Sequence, residues 1–190
     1  MNEKYELTEE FKEIETLREG WLQKIKVYRI RALRAFADVK AGDLGGFVET
    51  KQNLSNMGNA WVCDNARVYD NAKVCDNARV CDNAWVCNNA RVYGRAWVYD
   101  NARVYGNAKV CNNANIFWCS SIGSRHATTT MFRNKDNGIT VTCGCFMGTL
   151  EEFAERVEKE HGDNIFGKEY KLLIELAKIH FGLQYATKGD

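Results

Sequence analysis

The chain of 190 residues contains no proline, so every turn must be made by other residues. It contains no apolar run approaching the ~18 residues of a membrane-spanning helix, which excludes an expected transmembrane helix. The opening stretch "MNEKYELTEEFKEIETLREG" is acidic and has no apolar segment of the kind found in secretory leaders. The chain is therefore expected to remain in the cytoplasm. Charge is nearly absent in sum, at +1. No global basic or acidic field exists, and affinity for nucleic acid or a membrane would need a local patch. Histidine is scarce: His126, His161 and His180, all beyond residue 120. No Walker, dinucleotide-binding, Ser-His-Asp or HExxH pattern occurs. Cysteine is not scarce. Eight cysteines in a reducing compartment are expected to be thiols in the main.

What fills the chain is a six-residue repeat. Ten units of Ala-x-Val, or its variant, run from Ala60/Val62 through Ala66/Val68, Ala72/Val74, Ala78/Val80, Ala84/Val86, Ala90/Val92, Ala96/Val98, Ala102/Val104 and Ala108/Val110 to Ala114/Ile116. Residues two apart share one face of a strand, so Ala and Val point inward and the residue between them outward. Asn precedes Ala in nine of the ten units, with Arg95 the exception. Asn tolerates positive φ, so the Asp-Asn pairs read as corners with Asn in the left-handed position. A period of six does not fit a helix of 3.6 residues per turn. A strand-and-turn repeat of this length is the mark of a β-helix solenoid.

The units resemble the hexapeptide-repeat, left-handed parallel β-helix family, in which three hexads make one triangular coil of 18 residues. That resemblance implies a little over three coils here, with Asp43–Val62 as an irregular first one. Val48 and Leu54 keep the six-residue step, and two extra residues precede Val62. The stretches "DVKAGDLGGFVE" and "GSRHATTT…GITVTCGCFMGTLEEFAERVEKEHGDN" resemble uncharacterised repeat proteins encoded by bacteriophages and prophages. Together the resemblance covers most of residues 24–182 and implies a phage context more than a chemistry. Many hexapeptide-repeat proteins are acyltransferases with a histidine between subunits of a trimer. That feature does not carry over, because no histidine lies in the repeat.

Three regions are expected: 1–43, a helix/strand cap; 44–118, the β-helix; and 119–190, an α/β module. In the first, Phe11, Ile14, Leu17 and Leu22 have near-helical spacing, and residues 25–33 then alternate as a strand. In the third, "ATTTMFRNKDNGITVTCGCF" reads as two strands joined at Asp136-Asn137-Gly138. A helix follows, with Thr149 as N-cap, Glu152 completing a capping box and Gly162 at the C-terminal stop. Its apolar face is Leu150, Phe153, Ala154 and Val157. A last helix near 168–182 carries Tyr170, Leu172, Leu173, Leu176 and Ile179. An α/β module of this kind suits the exposed end of a solenoid as a cap. The expected fold is thus mainly β, a left-handed parallel β-helix with a C-terminal α/β cap.

Stacking residue n on n+18 turns the outward positions into ladders. They are Trp61–Arg79–Trp97–Asn115, Arg67–Trp85–Arg103 and Lys73–Arg91–Lys109. Beside them run Cys63–Cys81–Tyr99–Phe117, Tyr69–Cys87–Tyr105 and Cys75–Tyr93–Cys111. Cation–ring stacking accounts for the first two of these faces. The third is a pure cation row, repulsive until something anionic approaches. The candidate binding residues are Arg67, Trp85, Arg103, Lys73, Arg91 and Lys109. The donor-rich stretch containing Ser124, Arg125, His126 and Thr128 joins them, being suited to phosphate oxygens. Cys143 and Cys145, with Cys119 or His126, form a weaker zinc pattern than a two-residue-spaced pair would. No catalytic residue, resident metal or cofactor is expected.

These readings point to a phage-type binding protein, not an enzyme, that sequesters or inhibits a component of the bacterial host. The expected partner is a host protein or an anionic ligand, either a nucleotide or a nucleic acid, with no membrane. A homo-oligomer, dimer or trimer, is expected. The alternatives are an acyltransferase of the hexapeptide-repeat class and a structural assembly protein.

Overall fold

The computed structural model describes residues 3–18 and 20–183. The chain divides into two compact units, Met1–Asn112 and Asn113–Asp190, where the sequence reading expects three parts. The first unit is a parallel β-solenoid preceded by a hairpin; the second is a small sheet with two helices.

The solenoid begins with β3 (Leu44–Val48). Nine two-residue strands follow at six-residue steps: β4 (Trp61–Val62), β5 (Arg67–Val68), β6 (Lys73–Val74), β7 (Arg79–Val80), β8 (Trp85–Val86), β9 (Arg91–Val92), β10 (Trp97–Val98), β11 (Arg103–Val104) and β12 (Lys109–Val110). β4 to β9 each pair in parallel with the strand 18 residues on, as Trp61 with Arg79 and Arg79 with Trp97. Ala and Val of these nine units are almost wholly buried, as the period requires. Such small, uniform side chains let three short strands meet in one narrow core at native packing density.

The corners differ from expectation in one respect. The left-handed residue is the one before Asn: Asp64, Asp70, Asp76, Asp82, Asn88 and Asp100 have φ between 55° and 61°. In that conformation the carboxylate accepts from the backbone one coil further on. Asp70 Oδ2 takes Asn88 N at 3.0 Å, Asp76 Oδ2 takes Gly94 N at 2.9 Å and Asp82 Oδ2 takes Asp100 N at 3.0 Å. The Asn residues that follow can pair with each other, as in Asn59 Nδ2 to Asn77 Oδ1 at 2.9 Å. A short polar side chain is thus used twice, for tolerance of positive φ and for a ladder along the axis.

The first coil is longer. Val48 pairs with Val68 and Leu54 bridges to Val74, a step of 20 residues. The two extra residues lie between Leu54 and Val62, where Gly58 has φ +69°. A Cβ there would lie 2.4 Å from Asp76 O, so only glycine fits. The tenth expected unit does not form. Ala114 is exposed within a 3-10 turn, Asn113–Asn115, and Ile116 begins a strand of the second unit. The fourth rungs expected at Asn115 and Phe117 are accordingly not part of the solenoid.

The expected N-terminal helix is a strand. β1 (Tyr5–Arg18) and β2 (Trp21–Ala32) form a long antiparallel hairpin turning at Gly20. The three-residue spacing of Phe11, Ile14 and Leu17 imitates a helix, but Phe11, Leu17 and Leu22 are exposed. The governing pattern is charge across the strands, with Glu6 opposite Arg31, Glu13 opposite Lys26 and Glu15 opposite Lys24. β2 pairs with β3, joining the hairpin to the solenoid sheet β3-β5-β8-β11. Ile14, Ile25 and Val27 cover Phe47, Tyr69 and Cys87 on its outer face. Arg18 secures the far end through Glu49 and Asp70. At the near end Lys4 is fully buried and donates from Nζ to Ala60 O at 2.8 Å.

In the second unit, β13 (Ile116–Ile122), β14 (Ala127–Arg133), β15 (Ile139–Cys143) and β16 (Phe146–Thr149) form an antiparallel sheet in that order. The β14–β15 turn lies where expected. Asn137 has φ 64°, and Asn134 Oδ1 accepts from the backbone N–H groups of Asp136 and Gly138 at 3.0 Å. Ser120 and Ser121 belong to β13. α1 (Leu150–His161) carries the expected capping box of Thr149 and Glu152 and ends at Gly162. α2 (Ile165–His180) starts earlier than expected because Asn164 caps it, accepting from Gly167 N at 2.9 Å. Its buried stripe is Tyr170, Leu173, Ile174 and Ala177; Leu172, Leu176 and Ile179 are exposed. Spacing of 0, 3, 4 and 7 faces the core, so the expected stripe of leucines is only partly the right one.

Candidate functional site: solenoid faces and a C-terminal cavity

Each outward ladder has its own environment. In the second, Trp85 lies between two guanidinium groups, with Arg67 Cζ 5.0 Å and Arg103 Cζ 4.8 Å from its ring centre. Phe47 is the rung before Arg67 and is capped by Lys12 at 4.2 Å and Arg29 at 4.4 Å. The alternation of rings and cations is complete along this face, each contact being worth ~0.5–1 kcal/mol or more where desolvated. The stack holds Arg67, Trp85 and Arg103 in register, and Arg67 Nε is buried with no hydrogen-bond partner among the described residues.

On the first face Trp61 is buried against Tyr5 and Phe36, at 6.4 and 5.4 Å between ring centres. Arg79 pairs with Asp38, and burial lowers its pKa below the usual guanidinium value. Trp97, the last rung, is 54% exposed.

The third face is different. Lys73, Arg91 and Lys109 are all exposed and stack in register. Parallel strands place successive rungs ~4.8 Å apart. Among the described residues no carboxylate lies within ion-pair distance of any of the three; Arg91 Cζ lies 6.0 Å from the centre of the Tyr93 ring. The corners bordering this face lose acid along the axis. One runs Asp70, Asn88, Gly106 and the other Asp76, Gly94, Asn112, whereas the corner between the first two faces keeps Asp64, Asp82 and Asp100. Asp70 is already held by Arg18. Positive potential therefore accumulates toward the later coils of the third face.

The expected neighbours among the cysteines do meet. Cys63 and Cys81 are joined as a disulfide across adjacent coils, where thiols were expected. Their Cα atoms are 4.6 Å apart, because stacking in register brings equal positions together. Cys87 is a thiol beneath the hairpin, and burial pushes its pKa up to about 11 against the opposing pull of the Tyr69 hydrogen bond. It is a packed, unreactive group.

The second unit contains a cavity of about 450 Å³ that no sequence pattern announced. Its wall is a chain of rings. Phe146 meets Phe153 at 5.3 Å, Phe153 meets Tyr170 at 5.5 Å, and Tyr170 meets His161 at 5.7 Å with planes 31° apart. Ser124 and Arg125, from the β13–β14 turn, line it together with Arg156 of α1. Arg156 Nε reaches Glu160 at 3.3 Å. Arg125 has neither hydrogen bond nor ion pair among the described residues. Its guanidinium lies beside Gly144, where a Cβ would sit 3.2 Å from Nη1. Cys143 accepts from Thr129 Oγ1 at 3.2 Å and lies 3.6 Å from Tyr170 Oη. Burial, then the Cys143 contact, raises the Tyr170 pKa, so the phenol stays neutral.

The four candidates of the donor-rich stretch thus separate. Ser124 and Arg125 enter the cavity. His126 is exposed in the turn with φ 47°, and Thr128 pairs with Ser120 at 3.0 Å between hydroxyls. Cys143 and Cys145 also line the cavity. Cys143 is engaged by Thr129 and Tyr170, and no third ligand joins the pair among the described residues. The one group of three ligand atoms brought together among the described residues is Cys63, Asp64 and Cys81, with both sulfurs in the disulfide.

Among known families, one described as the YdcK beta solenoid repeat matches residues 96–112. The match spans β10 to β12, close to one coil. No curated protein matches the chain. Over that coil the sequence is similar to a β-solenoid repeat, in agreement with the parallel solenoid that the strands form.

Proposed function

We propose that this protein is a non-enzymatic binding protein whose solenoid presents the Lys73–Arg91–Lys109 row to an anionic partner. The observation that carries this reading is an in-register stack of three exposed cations without a carboxylate partner among the described residues. Such a row repels itself, and an approaching polyanion relieves the repulsion while releasing its own counterions. A solenoid suits the task because its rungs are held by backbone ladders and need not reorganise on binding. In this reading the coil is left-handed and of the hexapeptide-repeat type, and the protein is of the phage type and acts in the bacterial cytoplasm. There it withholds a host component: a nucleic acid, a nucleotide signal or an acidic face of a defence protein. Self-association as a dimer or trimer belongs to the same proposal, supported by the exposed Leu172, Leu176 and Ile179 on α2.

A labelled single-stranded oligonucleotide titrated at several salt concentrations tests the proposal. Three phosphates neutralised on a single strand give a slope of about −2 in log K against log salt. The combined change Lys73→Gln, Arg91→Gln, Lys109→Gln is expected to flatten that slope and lower affinity at least tenfold. Equal binding by the variant, or no binding by the native chain to the oligonucleotide or to polyglutamate at low salt, would refute the reading.

A further inference from the structure

We infer that the cavity of the C-terminal unit is a separate binding site for a small planar anion, an aromatic ring bearing a phosphate or a carboxylate. It goes beyond the role given to the solenoid and does not depend on it.

Three observations carry the inference. The first is size: about 450 Å³ lies within the ~300–1,000 Å³ typical of small-ligand sites. The second is the ring wall. Phe146, Phe153, Tyr170 and His161 touch in sequence, drawn from β16, α1 and α2. Aromatic faces and edges around one space favour a flat ring over an aliphatic chain, each contact adding ~0.5–1.5 kcal/mol beyond burial. The third is charge. Arg125 and Arg156 line the same space, and Arg125 is without an ion-pair partner among the described residues. A guanidinium at the edge of a partly apolar cavity matches a carboxylate or phosphate through paired N–H donors. Gly144 makes room for it, since its φ of +60° and the 3.2 Å approach of Arg125 leave no easy place for a side chain.

The chemistry also argues against a catalytic role for Cys143 here. Cys143 is engaged by Thr129 and Tyr170. Tyr170 is a neutral phenol, able to donate to a ligand and not to act as a base. The site is built to hold a ligand.

Calorimetric titration of the full chain with adenosine, guanosine and uridine monophosphates, with benzoate and indole-3-acetate, and with inorganic phosphate tests the inference. At least one ring-bearing anion is expected to bind at micromolar to low millimolar concentration, and inorganic phosphate at least tenfold more weakly. The nucleotide and carboxylate arms show which anionic group is preferred. Arg125→Ala is expected to weaken binding about tenfold or more. Cys145→Trp, at an exposed position lining the cavity, is expected to block it without disturbing the core. The triple change in the solenoid row is expected to leave it intact. Absence of binding by every ring-bearing anion, or binding unaffected by both Arg125→Ala and Cys145→Trp, would overturn the inference.

Discussion

The two units solve the same packing problem in opposite ways. The solenoid fills its interior with one pair of small residues, Ala and Val, repeated at every corner, and its buried positions are nearly all fully inaccessible. The C-terminal unit fills its interior with Phe, Tyr, Leu, Ile and Met from a sheet and two helices. Rings that meet at angles near 85° and 48° form one wall of the cavity there. Repetition therefore yields a rigid post with surface ladders, and irregular packing yields a concave site. The role proposed for the charged surface rests on the first architecture, and the inferred ligand site on the second.

The comparison breaks most sharply at Phe153. It is buried in the ring wall, and Phe153→Ala is expected to cost about 3–5 kcal/mol. Helical circular dichroism should melt early in that variant while the solenoid's β signal keeps its native midpoint. Simultaneous loss of both signals would show that the units are one cooperative system. A smaller effect is expected at a corner. Asp82→Ala places a non-glycine residue without a polar side chain at φ 57° and deletes the bond to Asp100 N. The expected loss is about 1–2 kcal/mol, read from the urea midpoint of the solenoid. Asp82→Asn should restore most of it, since Asn88 already serves one corner in this conformation.

A further effect concerns pH. Burial, followed by repulsion from Arg34 and Arg79, lowers the Lys4 pKa from 10.5 to about 8. Between those values the unfolded chain binds the proton that the folded chain has released. Stability contributed by this group therefore rises with pH from about 8 to 10.5. Below pH 8 both states are charged and the folded state carries the burial penalty in full. The difference in thermal midpoint between the native chain and Lys4→Met is expected to narrow over that window. A constant difference would mean that Lys4 keeps its charge.

The solenoid was legible because its physics is local. Ala60 to Val110 sets a period of six, and the same spacing places Trp85 between Arg67 and Arg103 in the structure. Even the two-residue excess before Val62 was visible as the longer first coil. The misreadings have local causes too. Asp and Asn both tolerate a corner, and it is the axial bond to the next coil, accepted by Asp70 and by Asn88 alike, that marks the first residue of each pair as the left-handed one. Phe11, Ile14 and Leu17 imitate a helix because spacing by three is shared by chance, while the cross-strand pairs that decide the matter are far apart in sequence. The exposed leucines of α2 could not be told from the buried ones, since both lie at helical spacings.

The cavity was not legible, because its lining comes from a β-turn at 124–125, another at 143–147 and two helices as far as Tyr170. Arg125 carried a hint as the cation of a donor-rich turn, but nothing in its neighbours names Arg156 or His161 as companions. The sequence alone determined the repeat, its inward and outward faces and the register of its ladders, because each hexad contacts chiefly the hexads six and eighteen residues away. Only the tertiary structure decided that a hairpin covers one face and leaves the cation row open, and that scattered rings enclose a cavity. Those outcomes depend on contacts between segments that share no period, where packing of particular side chains decides.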